Sequence, residues 1–316
     1  MAAPPLVTIG MPVFNAADTA ATAVRSICHQ TFTDWELLVI DDGSTDGIAD
    51  VMRHFSDPRI RFIQIPDGNR GLATRLNQCI TLARGRYFAR MDADDVAYPE
   101  RLERQVKFLD EHPEVDLLGT RALLFKGEGK PFGLYAKAFD HAEICRRPWW
   151  GFPLAHPTWM GKHEWFVRHQ YRERHTRCED QELLLRTFDT SQFAALSDVL
   201  LGYRMDRILA GKLGLGRLNY CRELVRQIHS GPSALRAARG ILVHSLAYGR
   251  DIALHISGTV SRRSRQMFYP LDARVTTKWQ QVWADSSSVA PAASPARSTS
   301  EDAHRPSSTG NDDESR

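Results

Sequence analysis

Arg90-Met91-Asp92-Ala93-Asp94-Asp95 follows directly on the apolar, β-prone run Tyr87-Phe88-Ala89. Three carboxylates therefore fall within four residues at the end of an expected strand. In an extended chain alternate side chains share a face, which puts Asp92 and Asp94 side by side. Like charges held that close repel, at a cost in free energy unless a cation sits between them. A hard divalent ion with oxygen ligands and positions open to phosphate oxygens is the natural occupant. Open α/β sheets also bind ligands beyond the C-terminal ends of their strands. The tract points to a metal–diphosphate site, with a solvated acidic turn as the bland alternative.

Working outward from the tract, strand and helix signals alternate through the first half of the chain. Leu6 to Phe14 is an apolar strand, and Asp18 to Gln30 reads as a helix with Asp18 as its N-cap. Trp35 to Ile40 is a second strand, closed by Asp41-Asp42-Gly43-Ser44. A short helix through Val51 and Phe55 precedes a third strand over Arg59 to Ile65. Leu72, Leu76, Ile80 and Ala83 recur at helical spacing. Pro99 opens another helix, and Val115 to Phe125 is a further strand. This order predicts an α/β fold, a mostly parallel sheet flanked by helices, whose continuous apolar strands are buried on both faces.

Beyond Gly127 the pattern changes. Gly127 to Gly133 reads as a turn, and Trp149, Trp150 and Trp159 fall in an irregular segment. Cys178 to Phe188 reads as a helix and Phe193 to Tyr203 as a late strand. Residues 205–283 form a basic helical extension, and 284–316 a tail rich in Ser, Pro, Ala and charge without apolar periodicity.

Bulk composition is ordinary, with 42% hydrophobic and 25% charged residues among 316. A net charge of +3 is too mild to argue for nucleic acid. Five scattered cysteines, none in a C-x-x-C pair, disfavour a disulfide framework and a zinc site, and suit a reducing cytosol. No signal peptide or membrane span is expected. The first strand runs into Pro12-Val13-Phe14-Asn15-Ala16 without a G-x-G-x-x-G turn, so a dinucleotide fold is excluded.

Val7 to Asn15, Leu38-Val39-Ile40-Asp41-Asp42-Gly43-Ser44-Thr45-Asp46, Asn69 to Leu72, Ala83 to Tyr87 with Asp92-Ala93-Asp94, and Glu179-Asp180-Gln181-Glu182-Leu183 occur in that order. Together they resemble family 2 glycosyltransferases of GT-A fold, over roughly Leu6 to Tyr203. The resemblance implies an inverting transfer from a UDP-, GDP- or dTDP-sugar to a hydroxyl of a glycan or lipid-linked acceptor. It implies a GT-A domain over 1–204, with a nucleotide-sugar half (1–125) and an acceptor half (126–204). Mn²⁺ or Mg²⁺ would be held by Asp92 and Asp94, with Asp92 also toward the ribose and Asp95 in support. Asp180 matches the family's catalytic base; a helix cap is its plainer reading. Asp42 would meet the nucleobase, with Pro12 and Phe14 lining the same pocket. His156 and Trp159 are candidates for the acceptor or a phosphate, or simply structural. Arg70 and Arg75 open the third helix, more plausibly on a solvated face than on a diphosphate.

Processive members of this family carry Q-x-x-R-W and membrane helices. This sequence has neither, so a single-addition enzyme of cell-surface polysaccharide or glycolipid synthesis is expected. A silent nucleotide-sugar-binding scaffold of the same fold is the alternative. The basic C-terminal helices suit peripheral contact with an anionic membrane surface or packing on the catalytic domain.

Overall fold

The computed structural model describes residues 3–66, 68–135, 138–174, 176–206, 210–228, 231–256 and 269–288. Four strands, β1 (Val7–Val13), β2 (Trp35–Asp41), β3 (Ile60–Gln64) and β4 (Tyr87–Arg90), run parallel in the order β3-β2-β1-β4. Three helices alternate with them: α1 (Ala17–Cys28), α2 (Ile48–Arg53) and α3 (Leu72–Leu82). Both sheet faces are covered. Leu37 and Val39 join the core under α1, while Leu38 and Ile40 join the core that holds Leu76 and Ile80 of α3. Burial on two faces is what an unbroken apolar strand requires.

The rest of the sheet continues from β4 as β8 (Met160–Lys162), β6 (Leu117–Lys126), β9 (Phe193–Arg204) and β5 (Val96–Ala97). β8 is antiparallel to both β4 and β6, whereas β6 and β9 are parallel. Between these strands lie α4 (Arg101–Glu111), α5 (His141–Ile144), α6 (His163–Arg168) and α7 (Glu179–Thr187). The C-terminal part holds α8 (Ala210–Arg226), α9 (Gly231–Ile256) and α10 (Ala273–Ser287). The fold is the expected α/β sheet flanked by helices.

Three local expectations are corrected. Asp18 lies in the first turn of α1, whose N-cap residue is Ala16; the Ala17 amide is satisfied from outside, by Asp46 Oδ2 at 2.7 Å. The segment expected as a turn over Gly127 to Gly133 is a hairpin, because β7 (Lys130–Tyr135) pairs antiparallel with β6. The tail does not begin at residue 284, since α10 continues to Ser287. The basic cluster at Arg262, Arg263 and Arg265 lies outside the described residues.

α10 packs against the central sheet. Trp279 is fully buried against Phe125 and Tyr98, and its indole N–H donates to the Gly129 carbonyl at 2.6 Å. Gly202 on β9 makes room for it, since a Cβ there would come within 2.2 Å of the ring. Arg25 of α1 donates to the Ser286 carbonyl at 3.3 Å, so the last described helix also meets the first. Trp279→Ala is expected to lower unfolding free energy by about 3–5 kcal/mol, measured by urea denaturation.

Candidate active site

Asp92, Asp94 and Asp95 follow β4, with carboxylate oxygens all within 4.8 Å of one another. Asp95 is fully buried: Oδ1 accepts from the Arg204 amide at 2.8 Å, and Oδ2 has no partner among the described residues. Burial and the neighbouring Asp92 charge push Asp94 up to about 6, and burial with the charges of Asp94 and Asp92 raises Asp95 well above the ordinary carboxylate range. An orphaned buried oxygen among clustered hard donors fits a divalent cation of the Mg²⁺ or Mn²⁺ type.

Two arginines that sequence reasoning passed over frame the tract. Arg90 is 3% exposed and pairs with Asp92 through Nη2, while its Nε and Nη1 have no partner among the described residues. Its amide donates to the Trp159 carbonyl at 2.9 Å. Its charge also reaches Asp94, Asp95 and Asp180. Arg204, at the end of β9, donates from Nε to the Asp94 carbonyl at 3.0 Å and from Nη1 to the Gly127 carbonyl at 2.8 Å. Its guanidinium lies 4.7 Å from the Phe125 ring and 5.8 Å from Trp283 of α10. No local motif marks Arg204; the pairing of β9 with β5, which directly follows Asp95, and with β6 brings it to the tract.

Asp180 sits in the first turn of α7, second after the N-cap residue Cys178, so the capping alternative is displaced by two positions. Burial raises its proton affinity, while hydrogen bonds from Gln181 and the Arg90 charge oppose that rise. Gln181 donates to Asp180 at 3.2 Å and its Oε1 accepts from the Phe152 amide at 2.8 Å, tying the 151–153 loop to the start of α7.

At the far edge, Phe14 follows β1 and is 48% exposed, and Pro12 is half-buried. Asp42 is buried and accepts from the Arg70 amide (2.7 Å), the Gly71 amide (2.9 Å) and Arg75 Nε (2.6 Å). A carboxylate has about four acceptor positions, so about one is left for a nucleobase N–H. Arg75 is corrected from a solvated face to a fully buried partner of Asp42. The signal was present: it lies three residues after Leu72 and four before Cys79, on the apolar side of α3.

Trp159 is also corrected. It is fully buried, with its indole N–H on the Leu154 carbonyl at 3.3 Å, and offers no face to an acceptor. It backs His156, whose Nε2 lies 2.7 Å from the Tyr171 hydroxyl. Burial and the Arg90 charge push His156 well below its ordinary value, so the imidazole is neutral. A cleft of about 1060 Å³ opens beside Asp94, bounded by Arg204, Cys178, Gln181 and Trp150.

The sequence pattern of the Glycosyl transferase family 2 matches residues 8–180. The chain belongs to that family. It is 36% identical over 192 residues to the putative glycosyltransferase EpsE of Bacillus subtilis, covering 58% of this chain and 67% of that protein. The putative teichuronic acid biosynthesis glycosyltransferase TuaG of B. subtilis is 36% identical over 109 residues, 34% of this chain and 43% of that one. Among solved structures, S. aureus TarS 1-349 in complex with UDP-GlcNAc aligns with a TM-score of 0.60 at 16% identity, covering 89% of this chain and 80% of that one. The mannosyltransferase PcManGT from Pyrobaculum calidifontis, in complex with GDP-Man and Mn2+, aligns at 0.56 and 16%, covering 90% and 86%. This family-2 glycosyltransferase therefore has the GT-A fold.

Breaking the Asp42–Arg75 pair from one side strands a buried charge. Arg75→Ala is expected to destabilise the fold by about 3–5 kcal/mol, read from the urea midpoint.

Proposed function

We propose a cation-dependent, inverting, single-addition glycosyltransferase acting in cell-surface polysaccharide or glycolipid synthesis. One observation carries this reading: Asp92, Asp94 and Asp95 cluster within 4.8 Å while the charge of the same buried Arg90 reaches Asp180. Leaving-group chemistry and proton acceptance are thereby assigned to separate carboxylates joined by one guanidinium.

In this reading Phe14 offers its exposed ring to the nucleobase of a UDP-, GDP- or dTDP-sugar, with Pro12 beside it and Asp42 as acceptor. Asp92 and Asp94 would hold Mn²⁺ or Mg²⁺, which when bound neutralises charge on the diphosphate. The acceptor hydroxyl oxygen attacks C1 from the face opposite the diphosphate. The C1–O bond breaks, its electron pair leaves with the nucleoside diphosphate, and the hydroxyl proton passes to Asp180. Gln181 and the first turn of α7 fix the base, which limits misalignment at the reacting atoms. Neutral His156, through Tyr171, positions the acceptor-side wall.

Asp180→Asn is expected to lower kcat by about 10²–10⁴ while the nucleoside diphosphate with Mn²⁺ still raises the melting temperature. Full turnover in that variant would remove Asp180 as the base. Asp94→Asn is expected to lose both turnover and the Mn²⁺-dependent part of the thermal shift. A thermal-shift panel of UDP-, GDP- and dTDP-sugars identifies the donor.

Peripheral membrane contact belongs to the same reading. Among the described residues no helix is long and apolar enough to cross a membrane. α8 and α9 bury one face through Tyr220, Leu224, Ala237 and His244. Their opposite faces expose Leu215, Leu218 and Val225, and Leu235, Leu242 and Leu246, the last 67% exposed. Arg222, Arg226, Arg239 and Arg250 stand among them, all exposed. Leucine with arginine on the exposed side of each helix complements an anionic lipid surface. Leu242→Glu/Leu246→Glu is expected to cut co-sedimentation with phosphatidylglycerol vesicles about fivefold or more. Equal sedimentation with phosphatidylcholine, or none with either, counts against a membrane partner.

A further inference from the structure

The cleft beside Asp94 does not extend toward the nucleotide end of the site. Phe14, Asp42 and Arg70 do not line it; Arg204, Gln181, Trp150 and the middle of α8 do. The cleft therefore lies on the acceptor side of the acidic tract, and at about 1060 Å³ it holds more than one sugar ring.

Arginines outnumber carboxylates on its lining, five to three. Arg146, Arg147 and Arg177 line it, all solvent-exposed, and none has a side-chain ion pair or hydrogen bond among the described residues. The acidic groups on the same cleft are engaged elsewhere. Glu143 accepts from the Phe139 amide at 3.1 Å, Asp206 accepts from the Gly127 amide at 2.7 Å, and Asp94 belongs to the acidic tract. Of the other two arginines on the cleft, Arg204 donates to the Asp94 and Gly127 carbonyls and Arg217 lies 3.4 Å from His244 Nδ1.

Two further features give these arginines a fixed frame. Arg177 has a φ of +66°, a left-handed conformation that costs a non-glycine residue about 1–2 kcal/mol. Its carbonyl is pressed against α8 at Gly216, where a Cβ would come within 2.7 Å. The strained residue is thus clamped immediately before Cys178 and Asp180. Beside the arginines, Trp150 is 48% exposed and stacks on His244 at 5.8 Å and 14°. Burial and the Arg217 charge push His244 down to about 4, so the ring behind Trp150 is uncharged. An exposed indole with a rigid backing is a platform for the apolar face of a sugar.

We propose that the acceptor is an anionic glycan, seated with one sugar on Trp150 and a phosphate or carboxylate on Arg146, Arg147 and Arg177. Planar guanidinium groups match both oxyanions and can bind them in a bidentate manner. The proposal rests on the glycosyltransferase reading and names the substrate class for its acceptor half.

The test is isothermal titration of the full chain in Mn²⁺ and the nucleoside diphosphate that stabilises it. The probes are a glycerol phosphate oligomer, a hexuronate oligosaccharide and a neutral maltooligosaccharide of equal length. One anionic probe is expected to bind about tenfold or more tightly than the neutral one. Arg146→Ala/Arg147→Ala is expected to remove that preference, and Arg146→Lys/Arg147→Lys to retain part of it. Preference for the phosphodiester assigns phosphate, and preference for the uronate assigns carboxylate. Equal affinity for all three, no binding of any, or a preference that survives in the double alanine variant overturns the proposal. Failure of every nucleoside diphosphate to raise the melting temperature would instead overturn the donor reading.

Discussion

Acidic side chains gathered around one buried guanidinium are the constraint on which this structure turns. Asp92, Asp94 and Asp95 repel one another at this spacing, and burial makes the charge of Asp94 and Asp95 more costly. Arg90 supplies a positive charge from inside the fold, and Arg204 adds a second from β9. Both must be held rigidly, because a displaced guanidinium would leave buried carboxylates without a counter-charge. The Trp159 carbonyl on the Arg90 amide, and Phe125 and Trp283 around Arg204, do that holding.

The same requirement explains the mixed sheet. Parallel β-α-β units place loops at one end of β1 to β4, which gives a nucleotide edge but no opposing wall. β8 pairs antiparallel with both β4 and β6, joining the second half of the chain to the first. The turn at His156 to Thr158 precedes β8, and α7 follows soon after it. Asp180 thereby comes within reach of a tract that lies far from it in sequence. The nearness of Asp180 to Arg90 is a property of this join rather than of either half.

Legibility followed the range of the interaction. The parallel strands and α3 were readable because their signal is local periodicity. Asp92 and Asp94 were readable because they stand two residues apart at a strand end, although a turn after β4, closed by the Asp95 amide on the Asp92 carbonyl at 3.3 Å, and not an extended chain, sets them together. Asp180 was singled out by family resemblance; its place beside Arg90 depends on the sheet. Arg204 carried no signal, since its ties to the tract run through backbone atoms, its own amide and the Asp94 carbonyl, between residues remote in sequence, and its pairing with Asp206 is local. Trp159 was left between an acceptor contact and a structural place because an aromatic in an irregular segment can face either way, and the structure buries it. Arg75 was misread because charge was weighed above spacing, although its helical position already assigned it to the apolar side. The hairpin after β6 was hidden by glycines at 127 and 129 that suggested only a turn.

Trp279 and Trp283 reach the sheet from the last described helix, and that has a consequence for the order in which the protein matures during synthesis. Every residue of the acidic tract, and Asp180 with it, leaves the ribosome before the aromatic wall that seats Arg204 exists. A nascent chain at residue 204 already carries all the family motifs but lacks the packing around Phe125 and Gly202. The site is thus completed from the C-terminal side, and a chain interrupted before α10 would be recognisable as this enzyme without being assembled as one.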